Sequence, residues 1–230
     1  MENQTRHRLK LTENTAWSRY QWAAEQLRAA LPTAPGLIVA DIGAGDGRMR
    51  EVTESAGAEW FGYDLLPRAE GVSSWDLEQV ADARFPKAAV VMALDVLEHL
   101  RNPWRCMMNI SDHLLPRGYL IMTTPNPVWS RSRMWALANG VPSCFTQSDL
   151  DSNHHVFTPW PHIVERLLAD RRLEVIRYDT LDGRTRWPGS PLSLRYPLRL
   201  ALALVTKCIE RRDPRSCGMS YGVVARKAAA

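Results

Sequence analysis

Two clusters of residues carry the chemistry that this sequence can support. The first is Asp41-Ile-Gly43-Ala44-Gly45-Asp-Gly47, with a further acid, Asp64, 21 residues beyond Gly43. Closely spaced glycines allow left-handed turns and let a ligand approach the backbone where side chains would obstruct it. A carboxylate such as Asp64 suits a pair of ribose hydroxyls, which would donate hydrogen bonds to it. The second cluster is Asp95-Val-Leu-Glu98-His99. On a helix these three polar residues fall at i, i+3 and i+4 and share one face. A carboxylate beside an imidazole orients it and raises its basicity, so His99 is the leading candidate for a general base acting on a hydroxyl nucleophile. His155, the last residue of Asn153-His154-His155, is a second candidate base. The structural alternatives are a capping Glu98, a packing His99 and a loop-fixing His155.

The elements that must position these groups alternate along the chain. Asn14 to Leu31 reads as a helix with Trp17, Tyr20, Ala24 and Leu27 on one stripe, ended by Pro32, Pro35 and Gly36. A buried strand over 36–41 runs into the glycine turn, and a helix to about Ala56 should offer free N–H groups to an anion. Strands follow at 59–64 and, more weakly, 73–77. Ala88 to Leu94 is a continuous apolar run, as expected for an interior parallel strand covered on both faces. A helix from Asn102-Pro103 to Leu115, a strand over 118–124, a helix over 161–171 and strands over 173–180 and 221–226 complete the pattern. The fold class is α/β, with a doubly wound, mostly parallel, seven-stranded sheet. Residues 1–35 form a tail and helical cover, 36–180 the core with a substrate insertion at 125–160, and 181–230 a basic helical insertion and the last strand. In such a sheet the ligand lies beyond the carboxyl ends of the strands, where the glycine turn, Asp64, Asp95 and the insertion should meet.

A dinucleotide fingerprint needs glycine at 43, 45 and 48, but position 48 is Arg48 and the third glycine is Gly47. Gly-x-Gly-x-Gly after an acid resembles instead motif I of the class I S-adenosylmethionine-dependent methyltransferases. Tyr63-Asp64 resembles the family's ribose-binding acid, and Trp75-Asp76-Leu77 the place where the adenine amino group is met. Ala93-Leu94-Asp95-Val-Leu-Glu98-His99-Leu100 resembles the signature after the fourth strand of small-molecule and ubiquinone-biosynthesis-type O-methyltransferases. Leu115-Pro-Arg-Gly-Tyr is similar to their "Leu-x-Pro-Gly-Gly" helix end, and His155-Val-Phe-Thr-Pro159 to a segment near their substrate pocket. The resemblance covers about residues 36–180. It implies S-adenosyl-L-methionine as cofactor, held by Asp41, Gly43, Ala44, Gly45, Gly47, Asp64, Leu65, Asp76, Leu77, Leu94 and Asp95. His99 or His155 would be the base for O-methylation of a small-molecule, glycan or lipid-linked acceptor. The ubiquinone-type relatives also imply a second use of Asp95, Glu98 and His99, as ligands of magnesium or manganese; the reading adopted here is acid/base chemistry without a metal. Alternatives are a small-molecule N-methyltransferase, a non-catalytic cofactor-binding partner and, more distantly, an NAD-dependent oxidoreductase.

Composition narrows the remaining classes. With 230 residues, 45% hydrophobic and 23% charged, the chain can bury one sizeable core, which excludes wholesale disorder. Four scattered cysteines without a Cys-x-x-Cys pair argue against a zinc cluster or a disulfide framework. A polar N-terminus and no apolar run of spanning length lead to the expectation of a soluble cytoplasmic protein. The net charge of +4 is unevenly spread: residues 181–218 carry +5 and the rest −1. No nucleic-acid partner is expected, since position 95 does not open an [Asn/Asp]-Pro-Pro-[Tyr/Phe] tetrapeptide and the basicity is local. Within the basic segment, 195–211 joins an apolar run, Leu198 to Ile209, to flanking arginines. Peripheral membrane contact is one expectation for it; packing on the sheet or self-association is the other. Five tryptophans (Trp17, Trp22, Trp129, Trp135 and Trp160) should flank the rim, most of them as core, and Arg131 and Arg133 could clamp an anion.

Overall fold

A computed structural model describes residues 11–15, 17–183 and 196–229. His7, Arg184, Arg186 and Arg195 lie outside the described residues. The elements run β1 (Glu13–Asn14), α1 (Arg19–Ala30), β2 (Ile38–Ile42), α2 (Arg50–Ser55), β3 (Glu59–Asp64), β4 (Val72–Ser74) and β5 (Ala88–Leu94). They continue with α3 (Pro103–His113), β6 (Leu114–Pro125), α4 (Ser130–Asn139), α5 (Gln147–Asn153), α6 (Pro161–Ala169), β7 (Leu173–Leu181), α7 (Tyr196–Arg212) and β8 (Ser220–Lys227). All strands join one sheet in the order β1-β7-β8-β6-β5-β2-β3-β4. Neighbours are parallel except β8, which is antiparallel to both β6 and β7.

The strand order reverses between β2 and β5, so the turns that leave these two strands lie side by side and form the crevice where open α/β sheets take ligands. Alternation along β5 divides the core between two faces. Val91 and Ala93 join a layer with Met107 and Ile110 of α3 and Leu167 and Leu168 of α6. Val90 and Met92 join another with Trp22 and Leu27 of α1.

Several expectations need correction. The seven-stranded doubly wound sheet is present, and among the described residues a further two-residue strand, Glu13–Asn14, is added at its edge against Asp179 and Thr180 of β7, where the helix was expected to begin at Asn14. Helix α1 begins only at Arg19, where Ser18 and Gln21 form a capping box. Trp22 does not flank the rim. It is fully buried, its indole N–H donates to Asp179 at 2.6 Å, and Gly222 leaves the space it fills. A Cβ at Gly222 would stand 2.6 Å from the Trp22 ring. Helix α2 starts at Arg50, and two N–H groups at this turn bond within it, Gly47 to the Ala44 carbonyl and Arg50 to the Gly47 carbonyl.

Candidate functional site

The glycine turn is built by the sequence as expected. Gly43, Gly45 and Gly47 take φ values of 70°, 56° and 75°, all in the left-handed region. Gly43 is also sterically required, because a Cβ there would lie 2.6 Å from Val96 on the turn after β5. The turn is tied to β3 by Gly43 and Ala44 N–H groups donating to the Tyr63 carbonyl. The Gly45 N–H donates to Asp64 Oδ2 at 2.9 Å and the Leu66 N–H to its Oδ1 at 3.0 Å. Asp64 is half-buried at the end of β3, and Leu65 and Leu66 beside it are exposed apolar side chains. A fixed carboxylate with lone pairs to spare, next to an apolar floor, fits a nucleoside. Asp76 is exposed at the far edge, while Leu77 is buried and its carbonyl accepts from Asn109. Asp41 lies beneath the turn, where it accepts the Trp60 indole N–H and burial raises its pKa to about 7.

The second cluster is assembled differently from the expected helical face. Asp95 takes φ 53°, and only a single 3₁₀ turn, Leu97–His99, follows it. The three polar side chains therefore diverge. Asp95 accepts from Thr123 at 2.9 Å and pairs with Arg19 of α1 at 2.7 Å. Glu98 is turned inward and buried, accepting from Thr124 at 2.9 Å. Burial, then the neighbouring Asp95 charge, pushes its pKa up to about 8. His99 is exposed and faces His155, with ring centroids 5.0 Å apart.

His155 comes from the insertion, and the backbone explains how. The N–H groups of Val156 and Phe157 both donate to the Glu98 carbonyl, at 2.9 and 3.0 Å, which pins the end of the insertion to the 3₁₀ turn. His154 takes a left-handed conformation that ends α5, leaving its side chain exposed and directing His155 inward. His155 Nδ1 lies 2.6 Å from the Cys144 carbonyl. A carbonyl only accepts, so this nitrogen carries the proton and Nε2 keeps its lone pair. Partial enclosure of the His99 ring and then the neighbouring His155 lower its pKa, against the backbone carbonyls of Asn153 and His154, which favour the protonated form.

Ligand atoms of Glu98, His99 and His155 lie within 4.8 Å of one another. One carboxylate and two imidazoles match zinc or iron better than the oxygen-rich magnesium set implied by Asp95, Glu98 and His99, and Asp95 is committed to Arg19. Arg133 pairs with Asp213 at 2.5 Å, while the exposed Arg131 lies over the Trp129 ring. Arg19 and Thr124 carried no signal in the sequence, since neither has a motif or a spacing that marks it.

A family model described as a methyltransferase domain matches residues 15–178. The chain belongs to that family. Its fold is that of the S-adenosylmethionine-dependent methyltransferases. A SAM-dependent methyltransferase from Archaeoglobus fulgidus superposes with a TM-score of 0.58 at 18% identity, covering 91% of this chain and 95% of that one. A geranyl diphosphate methyltransferase in complex with SAM gives 0.56 at 18% identity, covering 90% and 85%. By sequence, this methyltransferase-domain chain is 34% identical over 106 residues to the ubiquinone biosynthesis O-methyltransferase of Burkholderia thailandensis. That match covers 40% of this chain and 46% of the relative, so the chain spans about half the length of the relative it matches. Among the described residues no helix is long and apolar enough to cross a membrane.

Proposed function

We propose that this methyltransferase moves the methyl group of S-adenosyl-L-methionine onto a hydroxyl of a small-molecule, glycan or lipid-linked acceptor, with His99 as base and His155 as its partner. The observation that carries the reading is the meeting of Glu98, His99 and His155 at the end of β5, beside the glycine turn. When bound, the cofactor supplies a methyl group on a sulfonium, open to in-line displacement.

The residues of this chain then have three tasks. Asp64 and the exposed leucines beside it hold the nucleoside, and Gly43, Gly45 and Gly47 keep the backbone clear of it. Positioning of this kind can lower a barrier by roughly 7–11 kcal/mol. Arg19, at the mouth of the same crevice, places a cation beside Asp95 where the amino-acid end of the cofactor would carry its carboxylate. His99 takes the acceptor proton; its lowered pKa keeps it neutral near pH 7, and His155 Nε2 can receive the proton in turn. The low identity to ubiquinone O-methyltransferases over part of the chain supports oxygen as the methylated atom.

The test uses S-adenosylmethionine labelled in its methyl group, incubated with the protein and an extract of the source cells. The products are separated into organic and aqueous phases. Label in either phase that falls to background with Asp64→Ala and His99→Ala supports the reading, and the phase reports the acceptor's class. Label that persists in His99→Ala removes the histidine base. No label above the Asp64→Ala control removes methyl transfer itself.

A further inference from the structure

Helix α7 is inside out. The side chains it turns toward the protein include Thr206 and Glu210, both buried. Thr206 bonds back to the Leu202 carbonyl, and Glu210 accepts from Ser130 of α4 at 3.1 Å and pairs with Lys207 at 3.2 Å. Between its terminal arginines, the large side chains it turns to solvent are apolar. Leu198 is 64% exposed, Leu204 53%, Val205 49% and Leu202 44%. Leu198, Leu202 and Val205 follow one another at spacings of four and three, so they form a continuous stripe along the helix. An ordinary surface helix has the opposite arrangement. An apolar stripe of this kind is a contact surface.

The charges decide what it contacts. Arg211 and Arg212 stand exposed at the C-terminal end of the helix, whereas Arg199, also exposed, falls on the row of Ala203, Thr206 and Glu210. The one acid of the helix, Glu210, is buried and satisfied from within. The outward face therefore presents leucine and valine ending in two arginines, with no outward acid of the helix to answer them. A second copy of this chain is a poor match. Parallel pairing of two such helices sets the paired arginines against themselves, and in either orientation α7 offers no outward acid to face them. An anionic bilayer matches both components, since acyl chains take the apolar stripe and phosphate headgroups take the guanidinium groups. The helix has 17 residues and does not meet the requirements of a membrane span, so it lies in the interface.

We infer that α7 is a membrane-docking helix that seats the protein on an anionic lipid surface. The inference stands independently of methyl transfer, but it bears on the acceptor. Helix α4, which receives Glu210, leaves the same end of β6 whose Thr124 holds Glu98. Docking through α7 thus connects the bilayer to the catalytic rim through α4, a suitable arrangement for a lipid-linked acceptor.

The full chain is sedimented with vesicles of phosphatidylcholine alone and of phosphatidylcholine with phosphatidylglycerol in equal parts, at low and high salt. Binding to the mixed vesicles that weakens with salt is the expected result. Arg211→Gln with Arg212→Gln should lower the partition coefficient about 30-fold, and Leu202→Ser with Val205→Ser should abolish binding even at low salt. Arg211 and Arg212 are exposed, so an unchanged thermal midpoint for the arginine pair shows that folding is intact. Equal retention on both vesicle types, no retention at low salt, or variants that bind like the wild type would overturn the inference. So would a wild-type dimer that Leu202→Ser with Val205→Ser converts to a monomer.

Discussion

The guanidinium of Arg19 lies 2.7 Å from the carboxylate of Asp95 and so joins the first helix to the turn after β5. This pair closes one side of the crevice between the glycine turn and the histidines. It also faces Glu98, whose pKa the Arg19 charge restrains and the Asp95 charge raises. The pair therefore touches both the proposed cofactor end and the proposed proton-transfer end of the site.

If Arg19 serves the cofactor's carboxylate, Arg19→Met should weaken S-adenosylhomocysteine binding about ten-fold by calorimetry, the cost of one charge-assisted hydrogen bond. Asp95→Asn should weaken it less. The double variant should cost less than the two single changes added together, because they share one contact.

Asp64→Ala should raise the dissociation constant of S-adenosylhomocysteine at least 30-fold, since it removes both the ribose partner and the anchor of the Gly45 amide. Asp64→Asn keeps the hydrogen-bond acceptor and should lose less. An unchanged affinity in Asp64→Ala would falsify the ribose assignment.

With a base at His99, His99→Ala should lower kcat by about 10²-fold or more once an acceptor is in hand. The pH profile gives a more selective readout. His99 is held below its ordinary pKa by burial and by His155. The acid limb of kcat/KM should then fall below pH 6.5, and His155→Ala should move it to higher pH by removing the neighbouring imidazole. An acid limb unmoved in His155→Ala would separate the two histidines functionally.

Stability should depend on pH through Glu98 and Asp41, which have pKa values raised to about 8 and about 7 by burial. Between their ordinary values near 4 and these raised ones, the folded state keeps protons that the unfolded chain has released. Stability contributed by the neutral acids is therefore lost as pH rises from about 5 to about 8. Glu98→Gln keeps the shape and removes the titration. Its thermal midpoint relative to wild type should rise between pH 5 and pH 8.5, by roughly 2–4 °C for each kcal/mol recovered.

His113 should act in the opposite direction. It is buried between Tyr63 and Trp75, neither ring nitrogen has a hydrogen-bond partner among the described residues, and burial lowers its pKa to about 4. The unfolded chain takes up a proton near pH 6.5 and the folded one does not, so stability falls as pH drops from 6.5 toward 4. His113→Phe, which keeps an aromatic ring in the same place, should flatten this acid limb in urea titrations at pH 4.5 and pH 7.

Local sequence determined the parts of this protein that depend on backbone permission and on periodicity. Gly43, Gly45 and Gly47 could be read as a turn because left-handed backbone selects for glycine whatever lies around it. The apolar run from Ala88 to Leu94 could be read as an interior strand because a segment covered on both faces has no place for polar side chains. The acid at the end of β3 followed from its distance to the turn. Tertiary structure decided where the polar groups point. A left-handed Asp95 and a short 3₁₀ turn replaced the expected helical face, so Asp95, Glu98 and His99 went to three different partners. His155 entered the site through two amides that found the Glu98 carbonyl across 58 and 59 residues of chain. Arg19 reached Asp95 from a helix 76 residues away in sequence, and Trp22 reached Asp179 across 157 residues. Such contacts pair residues distant in the chain, and their energies depend on desolvation and direction, neither of which any local spacing encodes. Helix α7 shows the same division: its apolar run and its arginines were visible in the sequence, and only its packing, with Glu210 inside and Leu202 outside, showed which face meets the protein.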